Sequence, residues 1–159
     1  MLRKGDSVPD FETTSVSGET ISSKSLLGKK YVVYFYPKDF TPGCDACARS
    51  IRDNYQVFEK NTIPVFGVSG EPLKTRKRYK EKFNLPYTLL LDEDHSVAKK
   101  FGVYIKKKTF GKEYMGLQRT TFLISDKGII EEIFGGSEGV DKVKTASHAN
   151  QILQYYGLM

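Results

Sequence analysis

Between Tyr31 and Val68 the chain reads as strand, helix, strand, and a cysteine stands where that helix begins. Tyr31–Tyr36 (YVVYFY) is a β-branched and aromatic run with the length and composition of a buried strand. Helical spacing follows over 42–60, where Ala48, Ile51, Tyr55 and Phe58 recur on one face. Ile63–Val68 is the next apolar strand. A unit of this kind joins parallel strands, nearly always with a right-handed crossover. It sets the class as α/β.

The flanking segments complete an order. Residues 11–22 (FETTSVSGETIS) alternate around Ser17-Gly18-Glu19 and read as a small hairpin. Pro72–Phe83 is a charged helix with proline near its first turn, Thr88–Leu91 a short strand, and Ser96–Phe101 a short helix ended by Gly102. Residues 104–115 mix aromatic and basic side chains, as an irregular or hairpin excursion. Thr120–Ile124 and Ile129–Phe134 flank Asp126-Lys127-Gly128, a hairpin signal. Ala146–Tyr156 places Ala149, Ile152, Leu153 and Tyr156 on one helical face. The order βαβ, insertion, ββα is that of a thioredoxin-like fold with an N-terminal hairpin extension. No repeat or linker interrupts it, so residues 1–159 read as one domain.

Composition narrows the function classes. Hydrophobic residues make up 39% and charged residues 28%, a globular balance, and twenty aromatics (10 Tyr, 10 Phe) suffice for a core of this size. The start, Met-Leu-Arg-Lys-Gly-Asp, has no apolar stretch of signal-peptide type, and the apolar run at Tyr31 is too short to span a bilayer. A soluble, cytoplasmic protein without membrane association is expected. The net charge is +6, with basic residues crowding Lys74–Lys82, Lys99-Lys100, Lys106–Lys108 and Lys142–Lys144. No helix-turn-helix, RNP-type or zinc-finger pattern accompanies them, so they read as a solvated surface.

Only two cysteines occur, Cys44 and Cys47. A secreted disulfide scaffold would carry more, at wider spacing. A structural zinc would need both histidines, His95 and His148, brought to the pair. Redox chemistry is the better reading, and no metal or cofactor is expected. His95 reads as a helix-start residue and His148 as a surface residue. Arg52 and Asp53, on the Cys helix, read either as a local pair or as support for the site.

Tyr36-Pro37-Lys38-Asp39-Phe40-Thr41-Pro42-Gly43-Cys44 leaves the carboxyl end of a core strand, where α/β sheets form their crevices. Thr41-Pro42 is a helix N-terminus signature, with Thr as N-cap and Pro at the first helical position. Cys44 then takes the third position, where free N–H groups and the macrodipole favour a thiolate. A free thiol is only a few per cent ionised at pH 7, so full ionisation gains roughly thirtyfold at most. A reaction that puts charge on a departing atom needs donors aimed at that atom as well. Thr41, three residues before the cysteine, can place its hydroxyl beside the sulfur. Arg119, opening the strand 120–124, is the candidate cation.

These residues resemble those of a known family. Pro37-x3-Thr41-x2-Cys44 is similar to the peroxiredoxin active-site signature, and Arg119 matches that family's second, distant element. YPKDFTPGC, FGVS, LPYTLLLDED, GKEYMGLQRTTFLI and SHANQIL, in order along nearly the whole chain, resemble the bacterioferritin-comigratory or peroxiredoxin Q subfamily. The resemblance implies a thiol-dependent peroxidase that reduces hydrogen peroxide and organic hydroperoxides through a cysteine sulfenic acid. It implies Cys44 as peroxidatic nucleophile and Arg119 as the cation that lowers its pKa and orients peroxide. Thr41 would be the hydroxyl partner and Pro37 a lid against water. A thioredoxin-like dithiol would recycle the enzyme, as a monomer or homodimer.

One position departs from the subfamily pattern. A resolving cysteine in the same helix usually lies five residues after the first, and here that residue is Arg49. The second cysteine is Cys47. Three residues apart on a helix, Cα atoms are roughly 5 Å from each other, within disulfide range. Cys47 is therefore either a resolving thiol or a small buried hydrophobe. Two rivals stand beside the peroxidase reading. Cys44-Asp45-Ala46-Cys47 is formally C-x-x-C, as in thiol–disulfide oxidoreductases, but Arg119-Thr120-Thr121 lacks the proline such enzymes set opposite the motif. The other rival is a basic nucleic-acid or client-binding module.

Overall fold

The computed structural model describes residues 1–159. At its centre is a five-stranded mixed sheet. β1 (Glu12–Thr14) and β2 (Thr20–Ser22) form the expected N-terminal hairpin outside it. The sheet proper comprises β3 (Tyr31–Phe35), β4 (Val65–Ser69), β5 (Thr88–Leu91), β8 (Thr120–Ile124) and β9 (Ile130–Gly135), in the order β5-β4-β3-β8-β9. β3, β4 and β5 run parallel, whereas β8 and β9 are antiparallel additions. The 104–117 excursion is a two-stranded ribbon of β6 (Tyr104–Thr109) and β7 (Lys112–Leu117).

β3 is buried on both faces, which is why it is apolar without alternation. Val32 and Tyr34 belong to one core with residues of helices α1 (Pro42–Asp53), α2 (Tyr55–Lys60), α3 (Leu73–Lys82) and α5 (His148–Tyr155). Tyr31, Val33 and Phe35 belong to the other, with helix α4 (Ser96–Phe101) and the N-terminal segment around Phe11.

Two helix expectations need correction. The helix read over 42–60 is broken at Asn54, whose φ of −114° and ψ of 7° leave the helical region. Its side-chain amide donates to the Ser50 carbonyl at 2.8 Å, competing with the backbone ladder as asparagine does. The last helix starts at His148, because Thr145–Ser147 is a single 3-10 turn. His148 is also not a surface residue: it is fully buried. It lies four residues before Ile152, on the helix's apolar face.

Sheet register positions the site. Phe35, the last residue of β3, pairs with Thr120, the first of β8. The loop leaving β3 and the residue entering β8 therefore meet at one sheet edge. β4 and β5 end at the same edge.

Candidate active site

Thr41 is the N-cap of α1, with extended backbone (φ −119°, ψ 149°), and Pro42 is the first helical residue. The first intrahelical bond runs from the Asp45 N–H to the Thr41 carbonyl at 2.8 Å. The N–H groups of Gly43 and Cys44 precede it, so the helix start presents them to the sulfur's surroundings. Cys44 sits at the third helical position and is 2% exposed.

Arg119, just ahead of β8, donates from Nη2 to Cys44 Sγ at 3.3 Å. Its Nη1 is buried and makes no hydrogen bond within the protein. One guanidinium nitrogen thus holds the sulfur while its neighbour stays available beside it. Two glycines make room for this arginine. A Cβ on Gly43 would lie 3.2 Å from Arg119 Nη2, and a Cβ on Gly135, at φ +77°, would run into the Arg119 carbonyl.

The other expected residues are at the same edge in different roles. Thr41 Oγ1 donates to the Lys38 carbonyl at 3.0 Å and makes no bond to the helix N–H groups or to the sulfur. Bound in that way, its hydroxyl turns lone pairs, rather than its proton, to the outside. Pro37 is exposed at the bend after β3. Cys47 is 1% exposed in the core with Cys44, Ala48 and Ile51, and burial pushes its thiol up to about 12. Nearby Arg119 offsets only part of that shift. Arg49, at the usual resolving position, is exposed with its guanidinium 5.8 Å above the Phe83 ring. Arg52 pairs locally with Asp53 at 2.9 Å and donates to the Phe83 carbonyl.

The sequence reading missed the support beneath the loop. Arg76, on α3, is fully buried and donates from Nη2 to the carbonyls of Gly67 at 2.7 Å and Leu90 at 3.0 Å. Its Nη1 donates to Asp39 Oδ1 at 3.0 Å and to the Tyr36 hydroxyl, and that hydroxyl donates to the same Asp39 oxygen at 2.7 Å. Burial pushes the Asp39 carboxyl up, against the pull of Arg76. Arg76 therefore ties β4, β5 and the active-site loop together. A signal existed: Arg76, Tyr79 and Phe83 share the i, i+3, i+7 face of an otherwise charged helix. His148 is a second omission. It accepts from Thr121 Oγ1 through Nε2 and donates from Nδ1 to Gln151 Oε1, both at 2.7 Å, since that amide oxygen also accepts the Lys144 N–H. His95 is the helix-start residue expected, stacked on Tyr104 with ring centres 4.2 Å apart. No three potential metal ligands gather anywhere in the chain.

A thioredoxin-type sheet with a buried cysteine at a helix start, held by a strand-end arginine, defines a thiol-based redox enzyme. Residues 4–133 match the AhpC/TSA family, and the chain belongs to that family, the peroxiredoxins. It is 42% identical over 151 residues to peroxiredoxin Bcp of Bacillus subtilis, covering 94% of this chain and 92% of that one. To peroxiredoxin Bcp of Escherichia coli K12 it is 38% identical over 154 residues, covering 97% and 95%. Its fold is similar to that of a Cys-to-Ser variant of peroxiredoxin Q from Xylella fastidiosa, with a TM-score of 0.88 and 25% identity over 99% and 96% of the two chains. It also resembles the bacterioferritin comigratory protein of Xanthomonas campestris, with a TM-score of 0.83 and 28% identity over 92% and 90%. The enzyme is thus a thiol-dependent peroxidase, with a peroxide as substrate and a thiol as reductant. No helix is long and apolar enough to cross a membrane.

Proposed function

We propose that Cys44 is the peroxidatic nucleophile and that hydrogen peroxide and organic hydroperoxides are its substrates. The observation that carries this is the 3.3 Å contact between Arg119 Nη2 and Cys44 Sγ at the start of α1. The thiolate attacks one peroxide oxygen, the O–O bond breaks, and the departing alkoxide takes a proton to leave as alcohol or water. Charge grows on that oxygen, and the free Arg119 Nη1 beside the sulfur is the donor available to it. Thr41 offers lone pairs to the peroxide O–H, and Pro37 limits water at the mouth. Alkyl peroxide reduction is described for the Xanthomonas campestris protein, and that substrate class suits this site.

Cys44 is left as a sulfenic acid. Cys47, one helical turn on, condenses with it to give a disulfide and water, and a thioredoxin-like dithiol returns both thiols. Cys47 is 1% exposed, so the first turn of α1 opens before that thiol reacts. Two unpaired cysteines at a redox site also suit a reducing compartment such as the cytoplasm. Peroxide consumption by Cys44→Ser and Cys47→Ser tests this reading. Cys44→Ser should be inactive and Cys47→Ser should complete one turnover. Full activity in Cys44→Ser would overturn it.

A further inference from the structure

Phe40 combines two unfavourable features beside the cysteine helix. Its φ is 60°, a left-handed conformation that bulky side chains rarely adopt, and its side chain is 41% exposed. The ring is not isolated. It meets Tyr79 edge-on with centres 5.0 Å apart and lies 6.2 Å from Phe83. Tyr79 in turn donates its hydroxyl to Asp45 at 2.8 Å, which fixes this aromatic cluster to the first turn of α1.

Cations surround the cluster. Arg78 lies 5.7 Å above Phe40, Arg49 lies 5.8 Å above Phe83, and Lys82 lines the same shallow depression as Phe40 and Arg78. All three are exposed, and none forms an ion pair. An exposed aromatic, Phe40, beside half-buried Phe83 and flanked by arginines has the composition of a protein-interface anchor. Unpaired positive charge selects an acidic partner and speeds its encounter.

We propose that this face, formed by Phe40, Arg49, Arg78, Lys82 and Phe83, docks an acidic dithiol protein that reduces the oxidised Cys44 site. The inference rests on the peroxidase reading above. A small hydroperoxide needs no anchor of this size. A protein reductant does, because both sulfurs are nearly inaccessible and must be presented from the first turn of α1 while the partner is held there. One partner thiolate attacks the Cys44–Cys47 disulfide to give a mixed disulfide. The partner's second thiol then displaces it, so two electrons and two protons pass to the enzyme and the partner leaves as a disulfide.

The test compares turnover driven by an acidic thioredoxin with turnover driven by dithiothreitol, for wild type and for Arg78→Glu/Lys82→Glu. Both positions are exposed, so the fold is not at stake. The ratio of thioredoxin-driven to dithiothreitol-driven rate should fall at least tenfold in the variant. In wild type that ratio should also fall as salt rises from about 0.05 to 0.5 M. An unchanged ratio, or one indifferent to salt in wild type, would overturn the docking surface and leave the peroxidase reading standing. Slower oxidation by a carboxylate-bearing hydroperoxide, with the ratio unchanged, would also overturn it and assign the cations to an anionic substrate. Absence of peroxide turnover with dithiothreitol in wild type would instead remove the peroxidase reading itself.

Discussion

Arg76 Nη1 lies 3.0 Å from Asp39 Oδ1, and neither side chain is exposed. A buried pair of this kind contributes little net stability, but losing one partner strands a charge at about 3–5 kcal/mol. Arg76→Met should therefore lower unfolding stability by about that much in urea titration. Arg76→Met/Asp39→Leu should recover more than half of the loss. Its rate of oxidation by peroxide should nonetheless stay below wild type, because the loop carrying Thr41 has lost its tie to β4 and β5. A double variant with both stability and rate restored would show that the pair only fills space.

Arg119→Met removes the donor to the sulfur and the free Nη1 together. Single donors that strengthen in a transition state contribute about 3–4 kcal/mol, so the second-order rate of oxidation should fall about 10²–10³-fold. Gly43→Ala tests the geometry without removing charge. Its Cβ would press on Nη2 at 3.2 Å, and the rate should fall by a smaller factor with little change in stability. Stopped-flow oxidation of the reduced enzyme measures both. Wild-type kinetics in Arg119→Met would place the cation elsewhere.

The elements legible from sequence were those in which local pattern and tertiary role agree. β3 has the composition that burial on both faces requires, and Thr41-Pro42 marks the start of α1 whatever surrounds it. Arg119 could be nominated because the sheet edge that brings β8 to β3 follows from element order. Arg76 was hidden among the lysines and arginines of α3, where charge read as solvent exposure although its spacing to Tyr79 and Phe83 marks the inner face. Asp39 and Tyr36 follow from Arg76, since a buried guanidinium needs several partners and the loop after β3 supplies these two. His148 was hidden by polar sequence neighbours, despite its i, i+4 relation to Ile152. Side chains that answer to distant partners leave only a faint periodic trace in the sequence.

His148 sets a pH dependence of stability. Burial, with Arg119 nearby, lowers its pKa from 6.5 to about 4, against a smaller pull from the Gln151 amide oxygen. Between those values the unfolded chain binds a proton that the folded protein does not, so stability rises with pH. The contribution is fully present above about 6.5 and is lost as pH falls toward 4, reaching about 3 kcal/mol. Urea titrations from pH 7.5 to 4.5 should show this loss in wild type. His148→Phe, though less stable at pH 7.5, should lack that component of the slope. Parallel curves would mean that His148 does not titrate differently in the two states.

The proposed cycle gives Cys47 the resolving role, and its chemistry in the reduced and oxidised protein tests that assignment. In the reduced protein it is 1% exposed with its thiol pushed up to about 12, so it should resist iodoacetamide at pH 7.5 for as long as the fold persists. One turn of helix separates it from Cys44, and their Cα atoms are already roughly as close as a disulfide requires. Only the first turn of α1 has to change, and Thr41-Pro42-Gly43 is the least internally bonded part of that helix. After one equivalent of peroxide, peptide mass mapping should find Cys44 linked to Cys47 within one chain, two hydrogens lighter than the reduced peptide. Cys47→Ser should instead accumulate a Cys44 sulfenic acid that dimedone traps, and excess peroxide should drive it on to the sulfinic acid. A wild-type Cys44 sulfenic acid that persists while Cys47 remains a thiol would take Cys47 out of the cycle. A disulfide between two chains would do the same for the intramolecular route.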